Sequence, residues 1–491
     1  MAQQTDTRSA DENKVTNGLD ALNLRPDQQA PILRLPNELL QLIFEFATAK
    51  KDKDEWDARI WAYSLLTPLA EVSRRFNSLV LPMLYGIIDL NGHPFNYQQR
   101  VKQLHDTLKQ RPELRSLPRS LQIEIEDEGT KLDFPVIHDL VVWATGLTHL
   151  RLYGGFGVQE NSDTFLYGLR DETCALVRSA GQCLPALRSF DIFSCFSAGA
   201  LTQMIESFAF KSLEKLEIWA ILEDHNEPVL SDEKVNHSNL FQAVDLDIQG
   251  AASFTSLSLN GYSADLRTLF HLTRWPKKLV HFTSRCVHDD DDGPADLDFA
   301  ELRPALLPHL ETLQTIELQG PYKSNRDGLF NAAEFPNLES FKISRWAIAP
   351  RGSLAWTPEH ADLLLAPRLK VLTWVVDESP AEVEEWDEFS PEEEKWMREF
   401  AKVASQRRST LQRIHIQYKP ETYNVEERFG YPWDRMDKVR EEIRPYGVAL
   451  GYDEPPLSKK EWQEEVDSKK ERMEREALRR HRAVLASRVE S

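Results

Sequence analysis

Apolar positions along the chain follow three successive rhythms, each predicting a different kind of structure. Residues 1–30 hold almost no periodic apolar positions and read as a disordered lead-in. From Ile32 to Leu90 apolar residues recur at helical spacing. In LRLPNELLQLIFEFA, Leu39, Leu42, Ile43 and Phe46 form one stripe, while Leu40 and Phe44 add a second apolar edge. A helix apolar on two sides must bury two faces. Pro36 is placed for the first helical position, where its missing N–H costs nothing, and Leu35 is placed to pack back on the first turns. After the charged stretch Lys50–Glu55, a second helical pattern runs through Trp61, Leu65, Leu69 and Val72, with Pro68 expected to kink or divide it. A third short helix is expected over Arg74–Val80, broken by Pro82. Residues 31–90 therefore read as a helical module too small and too apolar to stand in water without a partner.

The third rhythm is a recurring apolar-x-x-apolar-x-apolar motif. Its copies are Pro118-Leu121-Ile123, Leu147-Leu150-Leu152, Leu187-Phe190-Ile192, Leu213-Leu216-Ile218 and Phe254-Leu257-Leu259. They continue as Leu313-Ile316-Leu318, Leu338-Phe341-Ile343, Leu369-Leu372-Trp374 and Leu411-Ile414-Ile416, with a damaged copy at Leu279-Phe282. Middle positions are separated by 25 to 42 residues. The last two apolar positions lie two apart, so both point from one face of a strand into a core shared by neighbouring units, and the first seals the turn entering it. Helix-like stretches between copies, such as Asp171–Ala180, Leu201–Ala209 and Leu266–Leu272, would line the outer side. The expected fold is α/β: the small N-terminal helical module, then an irregular repeat solenoid with parallel strands over residues 91–453. A helix over Trp433–Arg444 and a strand over Gly447–Gly451 would close the solenoid, and residues 454–491 would form a charged helix with i,i+4 pairs such as Glu471/Arg475.

Composition narrows the function. The 491 residues carry 59 Lys+Arg against 79 Asp+Glu, a formal charge of −20, which disfavours a general binder of nucleic acid or anionic membrane. Ten acidic residues and no basic one fall between Asp377 and Glu394, read as a solvated insertion. Cys174, Cys183, Cys195 and Cys286 are too few for a disulfide scaffold and suit a reducing compartment. No apolar run approaches the roughly 18 residues of a membrane span, and the first residues lack the order of a secretory signal. These features lead to the expectation of an intracellular protein, cytoplasmic or nuclear.

Motifs for chemistry are sparse. HDDDDG, His288 to Gly293, fails as an EF-hand loop because His288 and Phe299 would occupy positions that need carboxylates. In GGFGVQ, Gly154 to Gln159, the third glycine of a dinucleotide fingerprint is replaced by Glu160, which would repel a pyrophosphate. There is no GxxxxGK[ST], HExxH, GxSxG or CxxC. We expect no cofactor, no metal and no catalytic residue. Strand alternation instead turns Arg151, Tyr153, Asp191, Phe193, Glu217, Trp219, Glu317, Lys342 and His415 outward, onto the face where a solenoid binds partners. Tyr153, Phe193 and Trp219 fall in adjacent units and could make an aromatic anchor, or could be scattered exposed rings. Ser379 and Ser390 precede prolines, and Arg479–Arg482 is a basic cluster that serves either as an import patch or as part of a salt-bridged helix.

The region Leu33–Leu90 resembles an F-box of the kind seen in many fungal proteins. The likeness rests on Leu35, Pro36, Glu38, Leu39, Ile43 and Phe44 in its first half, and on Leu69, Val72, Ser73, Arg74, Phe76 and Leu79 in its second. Residues from about Lys50 to Tyr63 form an insertion that most F-boxes lack. The downstream copies resemble the degenerate leucine-rich repeats that often follow an F-box. This resemblance implies docking on a Skp-type adaptor, and through it on cullin and RING subunits, with Leu35, Pro36, Glu38, Leu39, Ile43, Phe44, Val72, Arg74 and Phe76 at the contact. The repeats would then hold a protein substrate for ubiquitin-dependent degradation. The alternative is a leucine-rich-repeat interaction scaffold with no degradative role.

Overall fold

The computed structural model describes residues 31–48, 55–90, 97–125, 133–154, 167–196, 210–221, 249–262, 266–285, 299–319, 329–348, 354–376, 389–418 and 430–489. The expected lead-in 1–30, the stretch Leu201–Ala209 and the HDDDDG segment lie outside them, as do all of GGFGVQ but its first residue and most of the acidic run. The chain divides into two compact units, Met1–Ile88 and Asp89–Ser491.

The first unit holds α1 (Asn37–Thr48), α2 (Glu55–Val72) and α3 (Arg74–Gly86). Their core is Leu40, Phe44, Leu66, Phe76 and Val80, with Leu35, Leu69, Leu79, Met83 and Leu84 packed around it. Phe44 and Phe76 meet edge to face at 5.3 Å. The narrow edge of α1, Leu40 and Phe44, is thus the buried one. Pro36 precedes α1 rather than opening it, and its carbonyl accepts the Leu40 N–H at 3.1 Å. Ser73 caps α3 by accepting the Phe76 N–H at 3.1 Å. Arg75 ties α3 to the start of α1 through the Asn37 Oδ1 at 2.8 Å and the Leu35 carbonyl.

Two expectations fail here. Pro68 lies inside one continuous α2, and α3 runs through Pro82 to Gly86. Both prolines sit on exposed sides of their helices. Water can therefore take up the carbonyl that each proline leaves without its N–H, which softens the usual penalty.

The strands β1 (Ile87–Leu90), β2 (Ser120–Glu124), β3 (His149–Tyr153), β4 (Ser189–Phe196), β5 (Lys215–Ile221) and β6 (Ser256–Tyr262) form half of a twelve-stranded sheet. It continues through β7 (His281–Arg285), β8 (Thr315–Gln319), β9 (Ser340–Ser344), β10 (Val371–Val376), β11 (Arg413–Tyr418) and β12 (Ala449–Tyr452). Its order is the order of the sequence, and the strands run parallel. Every motif copy lies on a strand from β2 to β11. The middle residues form one unbroken row, from Leu121 against Leu150 and Leu150 against Phe190 through to Leu372 against Ile414. Leu450 of β12 extends it beyond Ile414. The next core row is equally regular except at the damaged copy, where buried Ser284 stands between Leu259 and Leu318.

The turn entering each strand repeats a backbone device. The Thr148 carbonyl accepts both the Arg188 N–H at 2.9 Å and the Ser189 N–H at 3.0 Å, and the Lys370 carbonyl accepts those of Gln412 and Arg413 in the same way. Each unit thereby satisfies two entering donors of the next, and register passes from strand to strand without help from side chains. Before β3 this turn admits only glycine, because a Cβ at Gly146 would lie 2.3 Å from the Ser116 carbonyl oxygen.

Helices include α4 (Tyr97–Gln110), α5 (Phe134–Trp143), α6 (Tyr167–Cys183), α7 (Leu266–Arg274), α8 (Phe299–Leu306), α9 (Arg345–Ile348), α10 (Pro358–Leu364), α11 (Pro391–Gln406), α12 (Pro432–Ile443) and α13 (Lys459–Val489). Near the end of the sheet, Trp356, Trp374, Trp396 and Phe400 make a ring cluster. Trp396 Nε1 donates to His360 Nδ1 at 2.9 Å, and burial lowers the His360 pKa. Helix α13 is anchored by buried Trp462 and Val466, with Trp462 against Tyr431 and Trp433.

The end of the acidic run is not a solvated loop. Ser390 caps α11 in a capping box with Glu393, whose side chain is fully buried and accepts from Arg345 Nε at 2.7 Å. Burial would raise the Glu394 carboxyl, but Arg398 and Arg435 hold it below the usual carboxylate range. Glu392 accepts the Leu354 N–H at 2.6 Å. These three carboxylates are structural, and the cations they answer lie mostly on other elements.

Candidate partner-binding surfaces

The helical unit cannot bury all that its sequence makes apolar. Leu39, Leu42, Ile43 and Phe46 follow the i, i+3, i+4, i+7 pattern of one helix face, and they are 46%, 48%, 42% and 80% exposed. Val72 is also exposed. Single exposed apolar residues are ordinary, but four in one stripe mark an interaction surface. Of the other residues picked out from the sequence, Pro36, Glu38 and Arg74 are exposed and Leu35 is half-buried. Phe44 and Phe76 lie in the core, beyond a partner's reach, and act by holding α1 in place. Leu42 and Phe46 belong with the exposed set, and the helical spacing alone was the signal for them. The structural arginine of this region is Arg75 rather than Arg74.

In the second unit, the residue between the two core positions of each strand points to the opposite face of the sheet. These residues form a polar row running Gln122, Arg151, Asp191, Glu217, Ser258, Thr283, Glu317, Lys342, Thr373 and His415. A parallel row on the same face runs Glu124, Tyr153, Phe193, Trp219, Asn260, Arg285 and Gln319. All nine residues named from the sequence lie in these two rows.

The three aromatic residues are one object. Tyr153 stacks on Phe193 at 4.7 Å between ring centroids, and Phe193 on Trp219 at 4.8 Å, with interplanar angles of 23° and 20°. Adjacent parallel strands stand about 4.8 Å apart, so identical register turns the three side chains into a continuous shelf. The Arg151 guanidinium lies 5.0 Å from the centre of the Phe193 ring.

Charges beside the shelf answer one another. Arg151 pairs with Asp191 at 3.0 Å, Lys215 with Glu217 at 2.6 Å, and Lys342 with Glu317 at 3.6 Å. Trp219 Nε1 and Asn260 Nδ2 both donate to Glu217 Oε1, at 2.8 and 3.0 Å. Burial alone would raise the Glu217 carboxyl, but Lys215, Trp219 and the charge of Arg285 hold it below the usual carboxylate range. Burial likewise opposes the charge on Arg151, and hydrogen bonding to Asp191 and Tyr153 outweighs it. Farther along, His415 Nε2 lies 3.0 Å from Asp453 Oδ1.

Asn260 and Arg285 went unread in the sequence although they continue the aromatic row. Counting three residues beyond the middle motif position in every copy would have found them. Asn260 is 1% exposed, and its Oδ1 has no hydrogen-bond partner; neither has Arg285 Nε. Among the described residues no group of three or more His, Cys, Asp and Glu side chains is arranged to hold a metal ion, and no helix is long and apolar enough to cross a membrane. No family model matches the chain, and no curated protein matches it.

Proposed function

We propose that this chain is the non-catalytic substrate receptor of a Skp–cullin–F-box ubiquitin ligase, working in the cytoplasm or nucleus. The observation that carries the reading is the open stripe Leu39, Leu42, Ile43 and Phe46 on a small helical unit whose sequence resembles an F-box. Burying those side chains on an adaptor removes the cost of exposing them to water, at roughly 25 cal/mol per Å² of apolar surface. The repeat unit then offers the two rows of its open sheet face to a protein substrate, and ubiquitin chemistry belongs to the other subunits. Neither a cofactor nor a metal enters this reading, and neither nucleic acid nor membrane is a partner.

The test is a pull-down with purified Skp-type adaptor. The intact chain should bind, and Leu39→Ala/Ile43→Ala/Phe46→Ala should bind at least about tenfold more weakly. All three side chains are exposed, so circular dichroism should be unchanged. An intact chain that ignores the adaptor overturns the reading. Adaptor binding without ubiquitin transfer to a captured partner would favour a non-degradative scaffold instead.

A further inference from the structure

We infer that the sheet face from Tyr153 to Arg285 binds an extended, uncharged peptide segment of about six residues, with large apolar side chains at the end that meets the aromatic shelf. This rests on the reading of that face as the partner-binding surface and specifies what it takes. The length follows from the row itself. Tyr153, Phe193, Trp219, Asn260 and Arg285 occupy five consecutive strands. Four gaps of about 4.8 Å span roughly 19 Å, which an extended chain covers in about six residues at ~3.3 Å each.

The chemistry changes along this line. At one end three stacked rings give a rigid apolar contact, built from the residue types that dominate binding hot spots. At the other end stand an acceptor without a donor, Asn260 Oδ1, and a donor without an acceptor, Arg285 Nε, on neighbouring strands. A backbone amide of a peptide, or a side-chain carboxamide, offers the complementary donor and acceptor. Both atoms lie just out of reach of water, so a ligand engages them by drawing the two side chains slightly outward.

Charge decides against an ionic partner. The acids and bases nearest the shelf are already matched, Arg151 with Asp191 and Lys215 with Glu217. An acidic peptide would sit against Asp191 and Glu217, and a basic one against Arg151 and Lys215, so either must break an existing pair. An uncharged segment disturbs neither.

The experiment pans a phage-displayed library of random heptapeptides on the full chain, then measures a labelled synthetic copy of an enriched sequence. Enriched peptides should carry aromatic or large aliphatic residues at one end and no net charge. Affinity should fall at least about tenfold in Phe193→Ala and in Trp219→Ala, and several-fold in Asn260→Leu. Tyr153→Ala, at the end of the stack, replaces Phe193→Ala if that variant fails to fold. The proposal is overturned if nothing is enriched, if charged sequences dominate, or if the peptides bind these variants as well as the intact chain. Adaptor binding, measured on the same proteins, should be unaffected. Its loss in the intact chain would remove the ligase reading while leaving a peptide site, and peptide failure beside intact adaptor binding would do the reverse.

Discussion

The two units treat their apolar residues in opposite ways. Every middle position of the repeat motif, from Leu121 to Ile414, is buried to 1% exposure or less. The helical unit buries the narrow edge of α1 and leaves the broad stripe open, with Phe46 at 80%. Repeats have neighbours on both sides that complete their core, whereas a module of three helices has too little volume to enclose a helix apolar on two faces. The same type of residue therefore speaks for stability in one unit and for recognition in the other.

Substitutions can break or sharpen that contrast. The largest effect is expected for Phe341→Ala, which empties a fully buried position between Ile316 and Leu372. It should cost about 4 kcal/mol in a denaturant titration that follows the repeat unit, and a loss below about 1 kcal/mol would mean the row can collapse around the gap. Next is the ion pair inside the same unit. Glu393→Ala leaves the 7%-exposed Arg345 without its 2.7 Å partner and should cost about 3 kcal/mol. Arg345→Met/Glu393→Leu should return most of that loss in a double-mutant cycle; failure to recover would show that the capping box on Ser390, not the pair, was the main contribution. The smallest effect belongs to the helical unit. Phe46→Ser should change stability by no more than about 0.5 kcal/mol, and a larger loss would place Phe46 in a core rather than on a docking face.

The repeat register was legible because its signal is local and redundant. Two core residues two apart, preceded by a third that seals the turn, recur often enough that even the damaged Leu279-Phe282 copy finds its strand. The open face was legible by alternation, but the Tyr153–Phe193–Trp219 stack depends on register between strands, which sequence distance conceals. Glu393 and Glu394 were misread with the acidic run because Arg345 and Arg435 are 48 and 41 residues from them. The prolines of α2 and α3 were misread for a related reason: the rule for helix breaking is local, while the side of the helix that meets water is set by the packing of Leu66, Phe76 and Val80. In α1 both apolar edges were visible, and only the assembled core shows which one is spent on folding.

The strand order carries a consequence of its own. Because each strand is bonded only to the strands before and after it in the chain, the sheet has no member that locks distant parts together. One cleavage between two strands would leave fragments meeting along a single seam, much as two separate polypeptides meet in a complex. Evolution has the same freedom: a strand with its return can be gained or lost at one seam, resizing the surface offered to partners while every other junction keeps its old geometry.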